Sequence, residues 1–343
     1  MPKEDVPMVD LYRQMARARN FERALAELWR RGLISGEMHL GMGEEAVAAG
    51  VVCHLREGDA ISLDHRSTPP LVVRGVDLEA LVLEMLGDPE GLCGGWGGHM
   101  HLFSREHLAC SSGIVGSSAP LGLGFALCFQ YLETGGVAVA FFGEGAMNQG
   151  MLLEALNLAV AWRLPLVFVC KDNRWAITTR SRDVTGGSLL SRARSFGMPA
   201  QRVDGTRVDR VWKAARQAVE RARRGKGPSF LLARCPRPEG HFMGDPMLRV
   251  FRDPLGQTLE IAPPLLRSFL ARPLSHLALR AKSLGFIGAS LGLLGMERLL
   301  EPDPLEKSGR LLEPAVRSRI DEEARREVEE AVKRALERRV SHA

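Results

Sequence analysis

The sequence predicts an α/β fold in which helices cover a parallel sheet and a helical extension follows at the C-terminal end. Three observations support this class. Apolar runs of strand length alternate with helical segments beyond Gly113. The 343 residues suffice for about two units of ~150 residues or for one large α/β layer. A composition of 45% hydrophobic and 25% charged residues with 36 glycines describes a folded chain with many tight turns, which excludes a largely disordered protein.

The first helix is expected from Asp10 to Arg31. Apolar side chains recur there at every third or fourth residue, the spacing of one helix face; they are Leu11, Met15, Ala18, Phe21, Leu25 and Leu28. Gly32 follows two arginines, which is typical of a helix end.

A glycine-rich run ends the next segment, 34–98, which mixes short helices with loops. Five glycines lie among residues 91–98. Such a run indicates either a loop of close backbone approach or a flexible segment. Taken alone, it favours flexibility.

Strand and helix patterns alternate in the middle of the chain. Strands are expected at 137–142, 164–170 and 229–233, with helices at 149–162 and 208–222. Parallel neighbours need a crossover of a dozen or more residues, and these helices provide it. The rhythm therefore predicts a parallel sheet.

The C-terminal region is expected to be helical, so the chain is divided into an α/β domain at 1–245 and a helical region at 246–343. Residues 252–300 are rich in Leu and marked by Pro, and they form an unusual insertion. Its most apolar stretch, 284–296, is shorter than the ~20 residues of a membrane span. We expect a buried helix or a partner surface there. A last helix at 320–340 places one apolar face, made of Ala324, Val328, Ala331, Val332 and Leu336, on a charged helix.

Charge and cysteine content exclude several classes of protein. Lys and Arg total 46 against 41 Asp and Glu, and the net charge of +5 is scattered, which disfavours nucleic acid as a partner. The six cysteines form no CxxC pair, so reduced thiols are expected. The N-terminal residues show no signal pattern. A cytoplasmic protein with a small-molecule substrate and no membrane partner is the expectation.

Two oxygen-bearing side chains follow successive buried strands. Glu144 lies in a Gly-Glu-Gly turn that leads into a helix, and Asn173 ends the next strand, 173 − 144 = 29 residues later. The carboxyl ends of neighbouring parallel strands open on one edge of the sheet. Carboxylate and amide oxygens suit Mg²⁺, and free N–H groups after the turn suit a diphosphate. An Asn at a strand end is more often a turn residue, but the joint occurrence favours a metal site.

The motifs GIVGSSAPLGLGFAL and GEGAMNQGMLLEALNLAVAWRLPLVFVCKDNRWAIT carry a family resemblance. The chain resembles the alpha subunit of the first component of thiamine-diphosphate-dependent 2-oxo acid dehydrogenases, which include the pyruvate, branched-chain 2-oxo acid and acetoin dehydrogenase families. The resemblance runs from the first helix to about Asp245 and resumes over DPLEKSGRLL and the last helix. It implies the thiamine-diphosphate-binding fold of the diphosphate-binding type.

The resemblance also implies roles for particular residues. The implied ligands of Mg²⁺ are Glu144, Asn173 and the carbonyl of Trp175. The implied cofactor-binding residues are His65, Arg66, Gly113, Val115, Gly145, Ala146, Arg237 and His241. Among these, Gly113 and Val115 would contact the aminopyrimidine through their backbone, and Arg66, Arg237 and His241 would bind phosphate. The implied catalytic histidines are His39, His101 and His241.

Each assignment has an ordinary structural alternative. Arg66 and Arg237 could be solvated surface charges. His39 and His101 could be packed histidines. His99 and His101 lie two residues apart and could suggest a transition metal, but no Cys or carboxylate cluster accompanies them.

Four features depart from the pattern of that family. Glu144 stands in place of the usual aspartate and is one methylene longer. The usual arginine-glycine-histidine-glycine run appears here as Arg66, Ser67, Thr68 and Pro69, which removes a loop histidine. Phe242 replaces a regulatory serine of some relatives. The segment 252–300 replaces a much shorter one. Because of these changes, the resemblance does not determine the substrate or the acyl acceptor.

The resemblance implies half of an active site. In that family a beta-like subunit supplies the glutamate on the pyrimidine side of thiamine diphosphate, so an enzyme active only in an α₂β₂ heterotetramer is expected. A lipoyl acyltransferase is the further partner of a dehydrogenase. The alternatives are a subunit that forms or cleaves carbon–carbon bonds without a lipoyl acceptor, and a non-catalytic assembly paralogue.

Overall fold

The computed structural model describes residues 5–177, 179–245, 249, 253–270, 276–300 and 302–342. The strands are β1 (Ala60–Leu63), β2 (Phe103–Ser104), β3 (Ala109–Ser111), β4 (Ala138–Gly143), β5 (Leu166–Asp172), β6 (Trp175–Ala176), β7 (Thr179–Arg180), β8 (Ala200–Asp204) and β9 (Ser229–Arg234). The helices before the C-terminal region are α1 (Met8–Arg30), α2 (Glu45–Val52), α3 (Thr68–Arg74), α4 (Leu78–Met85), α5 (Ser118–Tyr131), α6 (Gly150–Ala161), α7 (Ser181–Val184), α8 (Leu189–Ser195) and α9 (Val208–Arg223). The C-terminal helices are α10 (Pro254–Leu270), α11 (Leu277–Leu300), α12 (Pro304–Gly309) and α13 (Pro314–His342).

A seven-stranded sheet forms the centre, in the order β2-β3-β1-β4-β5-β9-β8. Its pairings are parallel except for that of β2 with β3. A separate antiparallel pair, β6 and β7, follows β5. The predicted α/β class with a parallel sheet and a helical C-terminal part is therefore confirmed, and the strands expected near 137, 164 and 229 appear as β4, β5 and β9.

Four strands of the central sheet, β1, β2, β3 and β8, were not predicted from the sequence. Residues 60–63 form a strand of only four residues within a segment that was expected to hold helices and loops. The strand at 200–204 is mostly polar because it lies at an edge of the sheet, where one side contacts solvent. Neither strand has the long apolar run that identifies β4 and β5.

Both faces of the sheet are buried, as a parallel sheet requires. Successive residues of β4 point to opposite sides: Val139 and Phe141 join the core beneath α1, α2 and α9, whereas Ala140 and Phe142 join the core beneath α5 and α6. This two-sided burial explains why the central strands are continuous apolar runs.

The C-terminal helix packs onto the body of the fold. α13 contacts α1 and α4, and the predicted apolar face of this helix is confirmed, with Ala324, Val328 and Ala331 buried. The insertion is helical as expected, in α10 and α11. Leu259 and Leu279 on these helices are 77% and 65% exposed. Parts of the predicted C-terminal region, at 246–248, 250–252, 271–275, 301 and 343, lie outside the described residues.

Across the described parts of the chain, none of the helices has both the length and the apolar character needed to cross a membrane.

Arg19 joins α1 to α2 and to the start of α12. Its guanidinium donates to Glu45 at 2.5 and 3.1 Å and to Asp303 at 2.8 and 3.1 Å. Arg19 is 4% exposed and Glu45 is fully buried. The two carboxylates hold the pKa of Arg19 above its usual range against the opposing effect of burial.

We expect Arg19→Met to lower the free energy of unfolding by about 3 kcal/mol or more, because it leaves the Glu45 carboxylate buried without its cation. Urea unfolding of the full chain measures this change. Arg13→Met on the same helix is the matched control, since Arg13 pairs with Asp10 near the surface; its effect should stay below about 1 kcal/mol. Equal effects of the two substitutions would contradict the prediction.

Candidate active site

A cavity of about 370 Å³ opens at the carboxyl ends of β1, β4 and β5. This is the edge where open α/β sheets bind ligands. The predicted site residues that line it are His39, His65, Arg66, Gly113, Val115, Glu144, Gly145, Ala146, Asn173, Trp175, Arg237 and His241. His101 is exposed and lies outside this lining, although its ring is close to Gly113. Its role stays a prediction.

Glu144 places a buried carboxyl group at the end of β4. Its Oε1 accepts a hydrogen bond from Ser181 Oγ at 2.6 Å, and its Oε2 accepts one from the backbone N–H of Asn173 at 3.3 Å. Burial raises the pKa of Glu144 to about 7. Among the described residues the donors to this carboxyl group are a hydroxyl and an amide, so a cation would offset the cost of its buried charge.

The turn after β4 differs from the expectation in one respect. Residues Glu144–Asn148 form a single 3₁₀ turn, and Gln149 is extended before α6 begins. The strand therefore does not pass directly into an α-helix. Gly145 lies against the β6 segment, where a Cβ would be 3.4 Å from Ala176 Cβ.

Asn173 and Trp175 form a tight turn beside Glu144. The side-chain oxygen of Asn173 accepts from the N–H of Trp175 at 3.2 Å. The carbonyl of Trp175 accepts from Arg237 Nη1 at 3.0 Å. A carbonyl oxygen has two lone pairs and is among the ligand types that Mg²⁺ accepts. The oxygen types at this edge thus fit a hard divalent cation.

Three histidines converge in the cavity next to Arg237. Ring nitrogens of His39, His65 and His241 lie within 4.8 Å of one another. A fourth ring, His99, contacts His39 with 2.9 Å between Nδ1 of His39 and Nε2 of His99. The sequence analysis considered His99 only as a metal ligand, and it missed this contact.

The four imidazoles are neutral at pH 7. Burial, and then nearby positive charge such as that of Arg66, lowers the pKa of His39 to about 2 and that of His241 to about 3. Burial likewise lowers the pKa values of His65 and His99 to about 4. Each ring therefore has one N–H donor and one lone pair.

Two arginines border His241. Arg66 is 4% exposed and donates to the carbonyl of Leu40 and, at 2.6 Å, to that of His241. Arg237 contacts His241 Nδ1 at 3.1 Å and donates to the carbonyl of Ile177 at 3.3 Å. Arg66 is therefore not a solvated surface charge. Two guanidiniums among neutral rings make this part of the cavity positive.

A buried ion triad joins the ends of β1 and β5, and its two carboxylates, Glu44 and Asp64, line the cavity. Lys171 is 2% exposed and donates to Glu44 at 2.6 Å and to Asp64 at 2.8 Å. Burial alone would lower the pKa of Lys171, but Asp64 and Glu44 raise it. The sequence analysis missed this triad. The signal was the charged residue Lys171 at the end of an apolar strand.

Carboxylates on α1 and α2 hold the loop that carries His39. Glu22 accepts from the N–H of Gly41 at 2.8 Å and from the hydroxyl of Thr68, and Glu45 accepts from the N–H of Gly43 at 2.9 Å. At Gly43, where φ is +94°, a Cβ would lie 2.4 Å from the carbonyl oxygen of Pro236. Glycine is therefore required at this position.

The glycine-rich run wraps around one buried carboxylate. Backbone N–H groups of Cys93, Gly95, Gly97 and Gly98 donate to Glu84 at 2.6 to 3.2 Å. A Cβ at Gly97 would lie 2.1 Å from the carbonyl oxygen of His101. The preference for a flexible segment was wrong, because the charge of Glu84 orders this loop. The run is a loop of close backbone approach that leads directly into His99.

We expect Glu22 to make stability depend on pH. Burial raises its pKa to about 7, so between pH ~4.5 and ~7 the folded chain keeps a proton that the unfolded chain releases. Stability should fall as pH rises through this window, by up to about 3 kcal/mol relative to Glu22→Gln. Denaturant unfolding at several pH values measures the difference. Glu27→Gln, at an exposed position of the same helix, should show no such trend, and a difference between wild type and Glu22→Gln that is independent of pH would overturn the assignment.

The chain is similar in sequence to a known protein family and to several characterised proteins. The family described as dehydrogenase E1 component matches residues 13–255. The chain is 40% identical to the alpha subunit of acetoin:2,6-dichlorophenolindophenol oxidoreductase of Bacillus subtilis (strain 168) over 252 residues, which are 73% of this chain and 76% of that protein. It is 38% identical to the pyruvate dehydrogenase E1 component subunit alpha of Zymomonas mobilis over 261 residues, 75% of this chain and 74% of that protein. The chain belongs to the dehydrogenase E1 component family.

Proposed function

We propose that this chain is the alpha subunit of a thiamine-diphosphate-dependent dehydrogenase acting on a 2-oxo acid or on acetoin, and that it binds the Mg²⁺–diphosphate end of the cofactor. The observation that carries the proposal is the position of Glu144 and Asn173 at the carboxyl ends of the paired strands β4 and β5. The names of the relatives from Bacillus subtilis and Zymomonas mobilis support the reaction class.

The charges of the cavity fit a magnesium diphosphate. Glu144, Asn173 and the carbonyl of Trp175 offer oxygen ligands for Mg²⁺. Arg66 and Arg237, the second of which also donates to the Trp175 carbonyl, offer charge-assisted hydrogen bonds to phosphate oxygens. Gly145 and Ala146, in the 3₁₀ turn, border the same space.

The histidines hold protons at defined atoms. Nδ1 of His241 lies 3.1 Å from a nitrogen of Arg237 and 3.4 Å from one of Arg66, and both are donors. This Nδ1 therefore carries the lone pair, and the proton is on Nε2. His39 and His99 share one proton between their facing nitrogens. When bound, thiamine diphosphate supplies the carbon nucleophile and the electron sink, while these rings donate to or accept from groups of the substrate.

The roles of the remaining site residues are part of the proposal. His65 and the backbone of Gly113 and Val115 bind the cofactor, and His39, His101 and His241 act on the substrate. Residues 1–245 form the cofactor-binding domain, with 246–343 as the helical region.

The open side of the cavity supports a protein partner. Ile114 and Val115 are 62% and 50% exposed at its rim, which is unusual for adjacent large apolar residues beside a polar site. We propose that a beta-like subunit covers this rim and supplies a glutamate to the aminopyrimidine, in an α₂β₂ heterotetramer. A lipoyl acyltransferase is the proposed acceptor of the acyl group. The six free cysteines fit a cytoplasmic location.

Asn173→Ala is expected to weaken the binding of Mg²⁺–thiamine diphosphate by ~100-fold or more, since loss of an outer-shell partner alone costs 10–100-fold at metal sites. Calorimetry on the assembled protein measures the affinity. Asn157→Ala, at an exposed position on α6, is the matched control and should bind normally. The melting temperature without cofactor should stay unchanged in both variants. Unchanged cofactor affinity in Asn173→Ala would refute the metal site.

The purified chain alone should show no turnover of pyruvate, branched-chain 2-oxo acids or acetoin with thiamine diphosphate and Mg²⁺, because the proposed beta-like partner supplies the pyrimidine-side carboxylate. Activity should appear on mixing with its beta-like partner. Product analysis by mass spectrometry measures turnover by the chain alone and by the chain mixed with its partner. Turnover by a chain shown to be free of that partner would contradict the half-site proposal.

A further inference from the structure

A second cavity lies behind the cofactor site and is lined by arginines. Its volume is about 460 Å³, and it is bounded by the end of β5, by the segment 180–189 and by β8. Among the described residues that line it, four are arginines: Arg174, Arg180, Arg182 and Arg202. Trp175 lines both cavities, so the β6 strand is the wall between them. The proposed cofactor chemistry uses none of these arginines.

The charge balance of this cavity is positive. Asp172 is the acidic residue among the described lining residues, and it accepts from the N–H of Arg174 at 3.0 Å. Asp183 lies beside the cavity and pairs with Arg180 at 2.7 Å. Asp183 also lies 3.6 Å from Arg182. Four arginines but one acidic residue are among the described lining residues, and this excess of arginine suits the anionic charge of a phosphate monoester, about −1.5 to −2 at pH 7.

The remaining lining suits a phosphate joined to an organic group. Thr185 and Ser188 bring hydroxyl groups. Thr185 Oγ1 accepts from Asn148 and Ser188 Oγ accepts from the N–H of Ser191, so each keeps its own hydrogen to donate. Trp175, Leu189 and Leu232 supply apolar walls.

The backbone at Arg174 is held in an unusual conformation. Its φ is +70°, in the left-handed region that favours glycine. A non-glycine residue there costs of order 1 kcal/mol, and such costs concentrate at functional sites. The hydrogen bond from the Arg174 N–H to the Asp172 carboxylate stabilises this turn. As a result, Arg174 lines the second cavity, and Trp175, the next residue, lies between the two cavities.

We propose that this cavity is a binding site for a small phosphate monoester, separate from the cofactor site. Guanidinium groups bind phosphate through paired charge-assisted hydrogen bonds, and the apolar walls contact the organic part of the ligand. The volume of about 460 Å³ suits a small molecule rather than a polymer. The inference does not depend on the proposed dehydrogenase activity.

Calorimetric titration of the full chain with phenyl phosphate tests the proposal. We expect Arg182→Gln/Arg202→Gln to weaken binding about tenfold or more, because it removes two charged donors. Both positions are exposed, so the fold should persist. Arg105→Gln/Arg224→Gln, at exposed positions elsewhere, loses the same charge and should bind as wild type does. Arg237→Gln, in the cofactor cavity, should also retain binding.

Further probes separate the ligand classes. Phenyl phosphate should bind more tightly than inorganic phosphate, benzoate or benzyl alcohol. Equal binding of phenyl phosphate by wild type and by Arg182→Gln/Arg202→Gln would overturn the proposal. So would loss of binding in Arg237→Gln instead, which would place the probe in the cofactor site. Tighter binding of benzoate would overturn the phosphate assignment.

Discussion

The parallel pairing of β4 with β5 is the constraint on which the site depends. Gly143 pairs with Lys171 in this register, so Glu144 leaves β4 beside the last residue of β5, Asp172, and Asn173 follows. β1 pairs with the other side of β4 and brings Asp64 to the same edge. Because both faces of β4 and β5 are fully buried, a shift of one residue would exchange the two cores, and the register is therefore fixed.

Buried carboxylates are the means by which this chain orders its glycine-rich loops. Glu22, Glu45 and Glu84 project from helices, and each accepts hydrogen bonds from the backbone N–H groups of a loop. Glycine lets the loop backbone approach the carboxylate closely, and the carboxylate satisfies donors that would otherwise be buried without partners. The loops that carry His39 and His99 are thus fixed from behind, so the histidines keep their positions without contacts from the open side of the cavity.

The sequence predicted the parts of the fold and site that depend on local pattern. Continuous apolar runs identified β4, β5 and β9, and the polar residues at their ends identified Glu144 and Asn173. The short strand β1 and the edge strand β8 carry too few apolar residues to be recognised alone. The order of the glycine loop depends on Glu84, and the triad of Lys171, Glu44 and Asp64 joins three distant segments. Such contacts exist only after the chain has folded, so local periodicity could not reveal them.

The hydrogen bond from Ser181 to Glu144 has a thermodynamic consequence. The segment that begins at Ser181 forms a wall of the arginine-lined cavity, and it is joined to the Glu144–Asn148 turn through Thr185 as well. A cation bound by the Glu144 carboxylate would compete with the Ser181 hydroxyl for that carboxylate. An anion bound in the second cavity would contact the segment that begins at Ser181 and would therefore act on the same hydrogen bond. Any coupling of the two proposed ligands through this bond is reciprocal, so each ligand would change the affinity for the other by the same factor. Ser181 is therefore the residue through which occupancy of one cavity would be felt in the other.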